Sequence, residues 1–166
     1  MFSATSYVSN DVLLSLSYTL TLNLDLTIKK FLVKTKENKR LIELSYEMML
    51  NAYAPYSNFS VGAAILSEND KLFGGCNVEN AAYPEGTCAE AGAISAMIAG
   101  GCKTIKEIYI VSKSENIVSP CGGCRQKIRE FSSDQTKIFL CNIKWDYKLF
   151  SLNELLPFSF SEFDDL

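Results

Sequence analysis

Residues 60–99 read SVGAAILSENDKLFGGCNVENAAYPEGTCAEAGAISAMIA. Two apolar runs, Ser60 to Leu66 and Lys71 to Asn77, flank the polar turn Glu68-Asn69-Asp70, which predicts a β-hairpin. The loop Val78 to Gly86 follows, then a helix from Cys88 to Ala99. Ile94, Met97 and Ile98 form its expected buried face, and Gly100-Gly101 its stop signal. Thr87-Cys88-Ala89-Glu90 fits a capping box, in which Thr87 and Glu90 would satisfy free backbone donors at the helix start. The same four residues put a thiol and a carboxylate at a helix mouth, so the stretch also raises a question of chemistry.

Upstream, a helix is expected from about Arg40 to Ala52, with Leu41, Leu44, Met48 and Met49 at helical spacing. It stops before Ala54-Pro55, because proline disfavours helix at the residue before it. Pro55-Tyr56-Ser57-Asn58 is a turn. Downstream, a strand over Ile105 to Ser112 leads to Ser119-Pro120, a suitable N-cap and N1 pair for a helix over Cys121 to Phe131. Lys137 to Cys141 forms another strand, and the tail carries Leu155-Leu156-Pro157 and an aromatic cluster. Helices alternating with strands after an initial hairpin imply an α/β fold with a mixed β-sheet flanked by helices.

Residues 1–38 read differently. Apolar residues fill every even position from Leu14 to Ile28, a period of two that suits a half-buried strand or an interrupted one. This N-terminal extension is an extra strand or an appendage without a part in activity. The basic run Lys34 to Arg40 links it to the domain over 39–166.

The 166 residues suffice for one self-sufficient domain, at 48% hydrophobic and 21% charged. A net charge of -3 and a pI near 5.1 leave no electrostatic footprint for nucleic acid, and small-molecule partners are expected. No long apolar segment suggests a membrane. Nothing ahead of the six cysteines resembles a secretory signal, so a reducing, cytoplasmic setting is expected. The chain has no histidine. Ser-His and Cys-His catalysis are therefore excluded, and a transition-metal site must use Cys, Asp or Glu.

Cys88, Cys121 and Cys124 all fall at expected helix N-termini, where free N–H groups and the helix dipole favour thiolates. Three thiolates suit zinc and leave a fourth position open, as in catalytic zinc sites. Cys76, Cys102 and Cys141 lack the helix-mouth context. Cys121-Gly122-Gly123-Cys124 taken alone also fits a thiol redox motif. Cys88-x-Glu90 followed by Pro120-Cys121-x-x-Cys124 matches the zinc deaminase signature, with cysteine for the first histidine.

From roughly Ile42 onward the chain resembles the cytidine deaminases of the homotetrameric, three-cysteine zinc type. The resemblance rests on residues 54–64 (APYSNFSVGAA), 75–84 (GCNVENAAYP), Cys88-Ala89-Glu90, 119–126 (SPCGGCRQ) and Leu155-Leu156-Pro157. It implies the α/β/α sandwich of that family and one zinc ion per subunit held by Cys88, Cys121 and Cys124. Glu90 would be the proton carrier. Asn77 and Glu79 would bind the ribose 3′-hydroxyl, their alternative being a polar turn that closes the hairpin. Phe59 would pack on the base and the Ala89 backbone would face the pyrimidine carbonyl. Ala81 and Phe160 would reach the substrate across subunit contacts of a homotetramer. The implied activity is hydrolysis of cytidine and 2′-deoxycytidine in pyrimidine salvage. The other readings are deamination of a different aminated heterocycle, such as a nucleoside antibiotic, or a zinc-stabilised inactive assembly module.

The chain departs from the family at two places. Ala91 stands where much of the family has arginine, so a cation that offsets the thiolates is absent; helix-end N–H groups, together with Arg125, are expected to donate to the sulfurs in its place. The tail from Phe160 lacks the family's Phe-Gly-Pro run.

Overall fold

The computed structural model describes residues 39–160; the strand expected between Leu14 and Ile28 and the tail past Phe160 lie outside the described residues. Helix α1 (Lys39–Leu50) buries Leu41, Ile42, Ser45 and Met49 on one face. Strands β1 (Val61–Ser67) and β2 (Leu72–Cys76) form the expected hairpin. Asp70 closes its turn at φ 57°, a left-handed conformation that a short polar side chain tolerates better than a branched one. Helix α2 (Ala89–Ala99) follows a single 3₁₀ turn at Tyr83–Glu85. Strand β3 (Ile105–Ser112), helix α3 (Gly122–Glu130) and strand β4 (Ser132–Cys141) come next. Strand β5 (Tyr147–Phe150) and the short helix α4 (Leu152–Leu155) complete the described chain.

The five strands make one sheet in the order β2-β1-β3-β4-β5. Only β3 and β4 run parallel; the other neighbours are antiparallel. A parallel pair needs a crossover, which α3 supplies. The expectation of a mixed sheet flanked by helices holds.

Adjacent glycines in β2 display the layering. Residues 74 and 75 point to opposite faces of the sheet. A Cβ on Gly74 would meet Met48 and Leu44 of α1, whereas one on Gly75 would meet the α2 backbone at Ala93 N, 2.2 Å away. Helix α1 thus covers one face and α2 the other, and Gly75 lets α2 approach to backbone contact. The α2 side of the sheet contributes Ala63, Ile65, Ile108, Ile110, Ile138 and Leu140 to a core shared with Ala93, Ile94, Met97 and Ile128. Tyr109 stacks on Phe139 at 4.2 Å between ring centres, on the side of Ala64, its β1 partner.

Several expected details differ. Ile98 is 41% exposed, because α2 is apolar on nearly every side and periodicity alone does not select its buried face. Its N-cap is Cys88, without a side-chain cap bond, so Thr87 and Glu90 do not form a capping box. The N-cap of α3 is Cys121, whose sulfur accepts from Cys124 N–H, two residues beyond the expected Ser119. Strand β4 begins at Ser132 rather than Lys137. A capping box does exist elsewhere, between Ser151 and Glu154 at α4.

Candidate metal centre and substrate cavity

Helices α2 and α3 aim their N-termini at one place. The Sγ atoms of Cys88, Cys121 and Cys124 all lie within 4.8 Å of one another. Cys88 and Cys121 are exposed and Cys124 is buried. Glu90, one position into α2 from Ala89, is only 4% exposed, and its Oε2 accepts a hydrogen bond from the Cys124 thiol at 3.2 Å. All four residues line a cavity of about 320 Å³.

Backbone pairing sets the far wall. Val78 N donates to Thr87 O and Thr87 N to Val78 O, both at 2.9 Å, while Glu79 N donates to Tyr53 O at 2.8 Å. These bonds tie the segment just before Cys88 to the 77–79 loop and to the segment after α1. Asn77 then spans the loop entering β1: its Oδ1 accepts from Val61 N at 2.8 Å and its Nδ2 donates to Phe59 O at 2.9 Å. The Glu79 carboxylate accepts from Tyr56 N at 2.8 Å, from Ser57 N at 3.2 Å and from the Ser57 hydroxyl. Asn77 thereby ties the end of β2 to the start of β1, while Glu79 holds the separate turn at Tyr56 and Ser57. Each keeps spare capacity, since a carboxylate offers about four lone-pair sites and an amide two donors and two lone pairs.

Electrostatics separate the three thiols. Burial raises Cys124 well above the usual thiol range, and the adjacent Glu90 charge and hydrogen bond raise it further. Burial also raises Cys88, against a lowering contribution from Cys124. Burial pushes Cys121 upward too, but the Cys124 N–H and the two neighbouring thiols outweigh it, so Cys121 lies below the ordinary range. Hydrogen bonding by the Ser57 hydroxyl, with the Tyr56 and Ser57 N–H groups, holds Glu79 below the ordinary carboxylate value despite some desolvation.

The cavity gathers Cys88, Ala89, Glu90, Cys121, Cys124, Phe59, Asn77 and Glu79, all named from sequence. Ala81 is exposed and Phe160 is 63% exposed; neither lines this cavity. Of the compensation expected at the sulfurs, the helix-end part is present, Cys124 N–H donating to Cys121 Sγ at 3.4 Å, whereas Arg125 is engaged elsewhere. Its Nε donates to Pro120 O and its Nη1 to Leu155 O, each at 3.0 Å, so these donors brace the site loop against the tail instead of meeting sulfur. Ser57, Ile110 and Ser112 also line the cavity. Ser112 has a signal in sequence, a polar residue at a strand position in phase with Ile108 and Ile110.

The donor set fits zinc. Zn–S bonds of about 2.3 Å in a tetrahedron require sulfurs roughly 3.8 Å apart, and a site without a fourth protein ligand keeps a position for water or substrate. Soft thiolates exclude hard cations such as magnesium and calcium. Three sulfurs beside a buried carboxylate, at paired helix N-termini over one cavity, define the zinc deaminase class of centre. The sequence pattern of the cytidine and deoxycytidylate deaminase zinc-binding region matches residues 35–140. A cytidine deaminase of Sporosarcina psychrophila is 40% identical over 126 residues, 76% of this chain and 93% of its own. One from Mycoplasma genitalium is 40% identical over 112 residues, 67% of this chain and 85% of its own. The crystal structure of a Burkholderia pseudomallei cytidine deaminase superposes with a TM-score of 0.71 at 38% identity, covering 75% of this chain and 99% of that one. The chain belongs to the cytidine and deoxycytidylate deaminase family and has its α/β/α fold.

Proposed function

We propose that the protein is a cytidine deaminase that converts cytidine and 2′-deoxycytidine to uridine and 2′-deoxyuridine, with zinc held by Cys88, Cys121 and Cys124. The observation that carries this reading is the buried Glu90 carboxylate, 3.2 Å from Cys124 Sγ and on the wall of the cavity. Bound zinc supplies a nucleophile at neutral pH by lowering the pKa of water from about 15.7 toward 7. Glu90 takes one proton from the attacking water and delivers it to N3 of the pyrimidine, then takes the remaining hydroxyl proton as the carbonyl forms at C4 and gives it to the departing amine, a general acid–base role. Phe59, Ile110 and Val118 give the cavity apolar walls, which suit a flat base and exclude bulk water. Asn77 and Glu79 spend their remaining hydrogen-bonding capacity on the ribose 3′-hydroxyl, and the Ala89 backbone faces the pyrimidine carbonyl.

The choice of a free nucleoside over a nucleotide is supported by the lining. Among the described residues, those around the cavity include no Lys or Arg, the side chains that bind phosphate. The exposure of Phe160 and Ala81 supports a homotetramer in which each reaches a neighbouring subunit's site. None of the described helices is long and apolar enough to cross a membrane; we place the enzyme in the cytoplasm, in pyrimidine salvage.

Zinc-loaded protein is mixed with cytidine, 2′-deoxycytidine or deoxycytidylate, and the ultraviolet change on deamination is followed. Both nucleosides should turn over and the nucleotide should not. No turnover of cytidine by zinc-replete protein would leave the zinc-stabilised assembly module as the better account. Preferential turnover of deoxycytidylate would overturn the argument from the lining.

A further inference from the structure

We infer that Ser112 is a substrate-binding contact, its hydroxyl hydrogen-bonding the pyrimidine nucleoside held in the cavity. The inference rests on the deaminase reading and extends it to a residue the family motifs do not name. Strand alternation puts Ser112 on the same sheet face as Ile108 and Ile110, both of them core residues. A hydroxyl in the third such position is costly unless it has a partner. Ser112 is 4% exposed, and its Oγ has no hydrogen-bond partner, although buried polar groups are nearly always paired.

Its surroundings in the protein are already committed. Ser112 pairs with Val61 across the sheet, and the Val61 N–H is taken by Asn77 Oδ1. The adjacent Lys113 N–H is taken by Ser60 O. Ser132 is the other buried hydroxyl without a partner among the described residues, and it is not on the cavity. Ser112 is, together with Phe59 and Glu90. One torsion with three staggered wells redirects its Oγ. A hydroxyl also accepts from an amino group and donates to a carbonyl oxygen, so it can pair with an aminopyrimidine and with the deaminated product.

The test uses zinc-loaded wild type, Ser112→Ala and Ser112→Thr. KM and kcat are measured with cytidine, and the thermal stabilisation produced by uridine gives a readout independent of turnover. Loss of one hydrogen bond should raise KM of Ser112→Ala roughly 2- to 13-fold, with kcat within about twofold, and shrink the uridine-induced shift. Without ligand the same variant should unfold at a higher temperature than wild type, because the unpartnered hydroxyl is gone. Ser112→Thr, which keeps the hydroxyl, should recover the ligand effects. Unchanged KM and an unchanged uridine shift in Ser112→Ala would overturn the inference while leaving the deaminase reading intact. A wild type that neither deaminates cytidine nor responds to uridine would overturn both.

Discussion

Substituting Gly75 by alanine should damage both stability and turnover, although Gly75 is in a strand and is not itself one of the cavity-lining residues. A Cβ at this position would lie 2.2 Å from Ala93 N and 2.5 Å from Ala89 O, against the 3.4 Å at which ordinary contact begins. Helix and strand must therefore separate by about 1.2 Å. The atoms it would meet are backbone, so no side chain can swing away to relieve the overlap. Overpacking of this kind costs about 1–3 kcal/mol, and the rigid neighbours put Gly75→Ala near the upper end. At about 2–4 °C per kcal/mol for a chain of this size, Tm should fall by roughly 10 °C. The helix that moves carries Ala89 and Glu90, and displacement of a catalytic group by about 1 Å can cost 10²-fold in rate. Thermal unfolding followed by circular dichroism, with kcat for cytidine measured well below Tm, reads both effects. A variant within about 1 °C of wild type and equally active would refute the claim that backbone contact at Gly75 positions α2. As an internal control, the atoms nearest a Cβ at Gly74 belong to the flexible Met48 and Leu44 side chains, so Gly74→Ala should retain most activity.

Two other substitutions probe the frame of the site. Arg125→Ala leaves the carbonyls of Pro120 and Leu155 without a charged donor, a loss of about 1.5–3 kcal/mol; zinc content by atomic absorption should stay at the wild-type level, since the bonds lost do not involve sulfur. A fall in zinc with unchanged stability would restore the cation-substitute role first expected of Arg125. The folded Glu79 is held below the ordinary carboxylate value, so its charged form stabilises the loop above pH about 4.3. That stabilisation is lost as pH falls through the lower folded value. Denaturant unfolding of wild type and Glu79→Gln should therefore differ at pH 6–7 and converge in acid; a constant difference across that range would contradict this role.

Much of the fold and site could be read from sequence where side-chain type and spacing each carry a physical demand. The hairpin has a polar turn between apolar runs, and Cys88, Cys121, Cys124 and Glu90 are reactive types at helix mouths, which the fold brings to one cavity. Failures occur where patterns are short or symmetric. Strand β5 spans only Tyr147–Phe150, too few residues for periodicity to register. The polar start of β4, Ser132 to Gln135, is half-buried or exposed and lacks alternation. At α3 the cap is a sulfur, which preferences built on Ser, Thr, Asp and Asn do not anticipate. Arg125 shows a different limit: a cation near thiolates in sequence is drawn instead to the nearby Pro120 carbonyl and to the Leu155 carbonyl, which only the folded tail brings within reach.

The central claim is that Glu90 moves protons beside a zinc ion held by three cysteines. Its most direct test compares Glu90→Gln with wild type at equal zinc content, reading cytidine turnover by ultraviolet absorbance. Loss of a general acid–base group predicts a fall in kcat of about 10²–10⁴-fold with zinc retained, because the glutamine keeps the shape of the side chain but not its proton. Turnover by Glu90→Gln equal to that of wild type would contradict the account.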